Sequence, residues 1–170
     1  MELRPTFTPH LGVLDPRKPR SAVLNVPFNL GCGDDKECES DLMVEAATED
    51  LDDDGALVIG SRKTLTQLVN VTNHYGDPAF APGVRIQIPS LLSVRKSPAE
   101  CQTNSKLGEI ICEIYGPLKA TKSFVFEIIY DVSNLKPFDD RLTWNKIEVY
   151  SDSKNHKEID LTNNIGKRSF

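Results

Sequence analysis

The sequence predicts an all-β chain, an antiparallel β-sandwich of immunoglobulin-like type. Three observations carry that prediction. Apolar and polar residues alternate with a period of two in about seven runs, each about five to nine residues long. Gly, Pro, Asn and Asp punctuate these runs at intervals of about 8 to 20 residues. No stretch carries a convincing helical period, so two packed sheets are the expected way to bury the apolar faces.

With 170 residues the chain has the length of one ordinary domain. That is enough for a real core, because a chain of about 150 residues hides about 70% of its unfolded surface. Hydrophobic residues make up 39%, somewhat below the usual share, which fits an ordered sheet protein with long polar loops.

Residues 1–31 hold Pro5, Pro9, Pro16, Pro19 and Pro27, a density that blocks helix and central strand alike. Only residues 22–26 could pair as a short strand, so the segment reads as a linker or as the last strand of a preceding domain. From Asp41 the pattern turns to β: Leu42, Val44 and Ala46 alternate with Met43, Glu45 and Ala47. Acidic residues run over 49–54 to Gly55, followed by a short apolar strand expected at 56–59. Residues 64–72 form the next strand, with Leu65, Val69 and Val71 on one face and Gln67 as the exception. Gly76-Asp77-Pro78 is a turn signal. Val84, Ile86 and Ile88 then alternate with Arg85 and Gln87 and stop at Pro89. A polar loop carrying Cys101 leads into a strand at 107–115 that contains Cys112 and is broken by Gly116-Pro117. Residues 123–132 give the clearest strand, with Phe124, Phe126, Ile128 and Tyr130 on one face. The last strand is expected at 142–150, with Trp144 in the core. The sandwich is therefore assigned to 32–155 and a polar, mobile tail to 156–170.

Charge and hydropathy remove several function classes. A net charge of −5 with clustered Asp and Glu leaves no basic footprint for nucleic acid. No apolar run approaches the 18 or so residues of a membrane helix, and no direct membrane contact is expected. The N-terminus has no apolar segment of the signal-peptide kind. The four cysteines fall into two local pairs, Cys32/Cys38 and Cys101/Cys112. An even count at short spacing fits two disulfides and an oxidising compartment. The alternatives are free thiols or a four-thiolate zinc site, whose usual spacing of two to four residues these pairs fit poorly. A secreted-type domain lacking a signal peptide is expected to be a fragment or an incomplete gene product.

Reactive groups do not converge. His10, His74 and His156 lie in separate polar regions without a partner at ligand spacing and read as surface residues. No H-E-x-x-H, G-x-S-x-G or phosphate-cradling glycine loop occurs, so no enzyme is expected. Asp50, Asp52, Asp54 and Gly55 reproduce the first half of a calcium-loop pattern, but the twelfth position is Ser61 in place of a bidentate Glu. The run reads as a solvated acidic hairpin end. Cys32-Gly33-Asp34-Asp35-Lys36-Glu37-Cys38 is the better metal candidate. A disulfide between its cysteines would close a ring that turns backbone carbonyls outward, and Asp34, Asp35 and Glu37 add carboxylates. Hard cations such as calcium take six to eight oxygens, so a distant ligand or water would have to complete the set. Asn70-Val71-Thr72 is the single N-glycosylation sequon, with Asn70 opposite the face of Val69 and Val71; it reads as a glycan acceptor or an unmodified asparagine.

Together these features resemble the integrin alpha chain at the junction of its thigh and calf-1 domains. The resemblance rests on Cys32-Gly33-Asp34-Asp35-x-x-Cys38 followed by Ser40-Asp41-Leu42, on Leu57-Val58-Ile59-Gly60, and on Val69-x-Val71-x-Asn73. It continues through Gly76-Asp77-x-Ala79-Phe80, Ile88-Pro89, Cys101, Ile111-Cys112, Gly116-Pro117-Leu118 and the strand after Phe124, about residues 30–155 in all. The resemblance implies a structural module from the leg of a heterodimeric adhesion receptor, with the cysteine loop as its knee. It implies a calcium ion (Ca2+) bound by the carbonyls of Cys32 and Glu37 and the carboxylates of Asp35 and Asp77. Asp77 stands where the family often has the longer Glu, is followed by Pro78, and lies after a turn one residue longer than usual. The implied disulfides are Cys32–Cys38, which fixes the loop carbonyls, and Cys101–Cys112, which ties two strand ends. The implied partners are an integrin beta chain and adjoining thigh and calf-2 domains, and the implied location is the extracellular part of a plasma-membrane receptor. No propeller repeats, second calf domain or membrane helix accompany the module, so the chain alone would neither adhere nor signal. The rival expectation is a free-standing soluble sandwich that binds protein through an exposed edge strand.

Overall fold

The computed structural model describes residues 31, 32, 34, 37–49, 51, 57, 58, 60–136, 145–151 and 156–168. Ten strands lie among them: β1 (Cys38–Thr48), β2 (Thr64–Gly76), β3 (Pro82–Gln87), β4 (Ser93–Lys96), β5 (Cys101–Asn104), β6 (Glu109–Glu113), β7 (Lys122–Asp131), β8 (Asn145–Ser151), β9 (His156–Glu158) and β10 (Ile165–Arg168). They form two five-stranded sheets, one ordered β4-β7-β2-β1-β9 and the other β10-β8-β3-β6-β5. Every pairing is antiparallel except that of β1 with β9.

Strand β2 organises the first sheet. Its thirteen residues alternate strictly between half-buried and buried up to Asn73, and it pairs with β7 from Thr64↔Asp131 to Asn73↔Lys122. The inward face of this sheet carries Leu42, Val44, Leu65, Val69, Val71, Phe126, Ile128 and Tyr130, and the second sheet supplies Val84, Ile86, Ile110, Cys112, Ile147 and Val149. Each fully buried Ile, Leu or Val contributes about 1.5–3 kcal/mol over leaving it exposed, which is what holds the layers together. Gln67, the exception in the sequence pattern, faces the same core and is fully buried. The phenol of Tyr130 donates to Gln67 Oε1 at 2.9 Å, so the polar side chain enters the interior with a partner.

Between Ser40↔Gly76 and Leu42↔Asn73 the register slips, three residues of β2 being taken up against two of β1. The consequence is local: Ser40, Asp41 and Leu42 are all buried in succession, which a regular alternation forbids.

The sequence expectations for β1, β2, β3, β6, β7 and β8 hold to within a few residues at their ends. Two others need correction. The stretch read as a polar loop before Cys112 contains β4 and β5, four-residue edge strands too short to display alternation. Residues 156–170, read as a polar tail beyond a sandwich ending at 155, instead contain β9 and β10, so the sheets continue to Arg168. These two strands are polar because they sit at sheet edges, where ladder hydrogen bonds rather than buried apolar faces hold them. The segment before 31, most of the acidic run and Trp144 lie outside the described residues, and of the expected strand at 56–59 only Leu57 and Val58 are described, neither of them in a strand.

Candidate functional site

The end of the sandwich at which β1 begins carries the cysteine loop. Cys32 and Cys38 are joined by a disulfide with Cα atoms 4.9 Å apart, and both are buried. Asp34 and Glu37 stand exposed on the ring, while Asp35 lies outside the described residues. Immediately after the ring, Glu39 and Asp77 bond reciprocally: the Asp77 amide donates to the Glu39 carbonyl at 2.7 Å, and the Glu39 amide donates to Asp77 Oδ2 at 3.2 Å.

Local sequence explains why Asp77 is held there. Gly76 adopts φ +94°, and a Cβ on it would lie 2.3 Å from the Glu39 carbonyl oxygen, so the close approach of the two strands needs a residue with no side chain. Asn73, fully buried, fixes the turn from below. Its Oδ1 accepts from the Asp41 amide at 3.3 Å, and its Nδ2 donates to the carbonyls of Asp77 at 2.8 Å and Leu118 at 2.9 Å. The Asp77 carboxylate is thereby presented beside the closed ring. This end offers carboxylates and backbone carbonyls, all hard oxygen donors of the kind calcium selects. Among the described residues no three side chains of His, Cys, Asp or Glu cluster at metal-binding range, so a cation here would draw on loop carbonyls as well as carboxylates.

Sequence reasoning missed a polar network directly beneath the loop. Asp41, 2% exposed, accepts from Asn163 Nδ2 at 2.8 Å and meets His74 Nδ1 at 3.3 Å. His156 Nε2 lies 3.0 Å from Glu158 Oε2, and its Nδ1 lies 3.3 Å from the hydroxyl of Ser40. The other oxygen of Glu158 accepts the Leu42 amide at 2.7 Å, and the Lys157 ammonium pairs with Glu39. The expectation that the histidines are surface residues is therefore corrected for His156, whose side chain is 9% exposed; His74 remains 65% exposed and His10 lies outside the described residues. The physical reason is the parallel pairing of β9 with β1, which sets His156, Lys157 and Glu158 opposite Cys38, Glu39 and Ser40. Ser40 is fully buried, so its contact with His156 and Glu158 is a clamp of one strand on another and no exposed nucleophile. No local signal in the sequence could have joined residues 116 positions apart.

The other expected sites lie elsewhere. Cys101 and Cys112 are directly opposite one another on β5 and β6 and form the second disulfide, with Cα atoms 3.9 Å apart. Asn70 is half-buried on the outward face of β2, and its Nδ2 donates to Glu45 Oε2 at 3.3 Å.

With this geometry in place, comparison with known families is decisive. The family model described as integrin alpha Ig-like domain 2 matches residues 32–165. The chain belongs to that family. It is accordingly an immunoglobulin-like leg domain of the integrin alpha type, an extracellular receptor module and a member of a structural rather than an enzymatic family. The match ends at 165, inside β10, in keeping with strands that run beyond 155. No curated protein matches the chain. Among solved structures, the chitin-binding domain of Chi18aC from Streptomyces coelicolor aligns at 12% identity and a TM-score of 0.44, over 66% of this chain and 93% of that one. A GH20 exo-β-N-acetylglucosaminidase from Vibrio harveyi aligns in complex with N-acetylglucosamine at 11% identity and a TM-score of 0.40, over 76% of this chain but 17% of the enzyme. Similarity at that level transfers neither ligand nor activity to this chain.

Proposed function

We propose that the chain serves as the calf-1 leg module of an integrin alpha adhesion receptor, and that its Cys32–Cys38 loop is a calcium-stiffened knee. In this reading a thigh domain precedes the loop, a calf-2 domain follows β10, and an integrin beta chain completes the heterodimer at the cell surface. The carbonyls of Cys32 and Glu37 and the carboxylates of Asp35 and Asp77 would hold the ion. Calcium would supply an electrostatic cross-link between the loop and the Gly76 turn. The observation that supports this most is the reciprocal bonding of Glu39 and Asp77, which sets a carboxylate from a residue 38 positions away beside the disulfide ring.

The consequence is mechanical. A ligand that favours one arrangement of loop and turn shifts the balance between bent and extended legs by its differential affinity and no more. At a calcium concentration about 100 times Kd the bound state gains about 2.7 kcal/mol. For a chain of this size about 1 kcal/mol moves Tm by about 2–4 °C, so melting with calcium against melting with chelator should differ by several degrees. Asp77→Ala should erase most of that difference. Equal melting temperatures with and without calcium in the wild-type chain would dismiss the metal and leave a purely covalent hinge.

A further inference from the structure

We propose that Asn70 carries an N-linked glycan whose first sugars lie over the outward face of the β4-β7-β2-β1-β9 sheet. The proposal rests on the extracellular class of the family and is independent of any metal at the loop. Its first support is position. Asn70-Val71-Thr72 is the one sequon of the chain, and β2 is the middle strand of that sheet. Val69 and Val71 are fully buried on the inward side, so Asn70 between them stands at the centre of the outward side.

The second support is what surrounds it. Asn70 lies opposite Glu45 on β1 and Val125 on β7. Val125 is 60% exposed. Met43, Ala47 and Leu68 share the same outward face, and none of them contributes to the core between the sheets. Apolar side chains thus border Asn70 on this face, and a sugar ring can lay a face of C–H groups against them.

The amide itself is the third. Asn70 Oδ1 is buried without a hydrogen-bond partner, whereas Nδ2 points to the exposed carboxylate of Glu45. Glycan transfer occurs at Nδ2. A C–N bond forms to the anomeric carbon of a lipid-diphosphate-linked oligosaccharide, the C–O bond to the diphosphate breaks, and one amide proton leaves with the lipid diphosphate. The product is a secondary amide that keeps one N–H, enough to retain the bond to Glu45. With this face sugar-covered, protein neighbours are left the ends of the sandwich and the other sheet.

The test is secretion of the full chain from mammalian cells behind a secretory leader, followed by intact mass measurement before and after peptide N-glycosidase. The expected mass exceeds that of the chain by one glycan and falls on enzyme treatment as Asn70 becomes Asp. Asn70→Gln and Thr72→Val should each abolish the excess, and Thr72→Ser should keep it, since only the hydroxyl is required of that position. A wild-type chain that has lost its four thiol hydrogens to disulfides yet carries no glycan overturns the proposal while leaving the extracellular assignment standing. Glycan that persists in Asn70→Gln overturns it as well. The covering role has its own measurement: removal of the glycan should raise the fluorescence of a bound apolar dye at least about twofold, and an unchanged signal dismisses it.

Discussion

Cys101–Cys112 and Cys32–Cys38 link residues 11 and 6 positions apart, and both bonds are local, yet they stand in opposite settings. The first joins the facing residues of two strands that four cross-strand pairs already hold in register, on the edge of a sheet. The second closes a ring that precedes the first strand and is tied to the sandwich through Glu39 and the Asp77 turn. One disulfide reinforces a ladder, and the other shapes a loop that has no ladder of its own. Chain entropy hardly separates them: loops of these lengths restrict the unfolded chain by about 3 and slightly over 2 kcal/mol. What distinguishes the two regions is therefore the native structure around each bond.

The largest expected effect concerns the glycine behind each region. Gly76 backs the cysteine loop and Gly108 lies in the turn between β5 and β6, both with positive φ. A Cβ at Gly76 would collide with the Glu39 carbonyl at 2.3 Å, whereas at Gly108 the nearest atom is the Ile88 carbonyl oxygen at an ordinary 3.6 Å. Gly76→Ala should cost about 3–4 kcal/mol, because strain and a backbone clash combine. Gly108→Ala should cost about 1–2 kcal/mol, the left-handed penalty alone. Urea unfolding of the two variants checks the ranking, and equal losses would remove the claim that the Asp77 turn is pressed against the loop.

Next come the disulfides themselves. Cys101→Ser with Cys112→Ser should lower stability by about 3 kcal/mol and Cys32→Ser with Cys38→Ser by about 2 kcal/mol, the order set by loop length. The calcium response of melting should separate them far more sharply, surviving in the first pair and vanishing in the second. A calcium response lost equally in both would mean that the ion senses global stability and not the ring.

How much of this was legible in the sequence depends on which force holds each part. Strands β2, β3 and β7 bury one face each, so Leu65/Val69/Val71, Val84/Ile86 and Phe126/Ile128/Tyr130 wrote the two-residue period into the chain. Strands β4, β5, β9 and β10 are edges of three or four residues, held mainly by ladder bonds that any sequence can make, and they left no period to read. Gln67 looked like a flaw because its partner, Tyr130, is 63 positions away. The same holds for the site. The ring and its carboxylates are contiguous and could be read directly, and Asp77 was reached through the family resemblance. The clamp of His156 and Glu158 on Ser40 and Leu42 depends on a parallel pairing 116 positions apart and was invisible.

The smallest effect compares the two ends through their acid response. At the end remote from the cysteine loop, Asp131 accepts from both the amide and the hydroxyl of Ser133; near the loop, just after Ile159 bonds back to Ser40, Asp160 does the same with Thr162. In each case the side-chain hydrogen bond is the largest cause, with the backbone amide next, that holds the carboxyl below the ordinary aspartate range. The folded form therefore binds fewer protons than the unfolded chain as acid is added. The stabilisation is complete above the unfolded value of about 3.9 and is lost as pH falls through the lower folded value. Asp131→Asn and Asp160→Asn should each flatten the fall of the urea midpoint between about pH 4 and 2. Both residues lie at the surface and are only half-buried, so the change is small and shrinks further with added salt. If calcium stiffens the knee, its addition should protect the Asp160 turn, which adjoins β1, more than the Asp131 turn. Equal protection at both ends would confine the ion's influence to overall stability and break the distinction between the two regions.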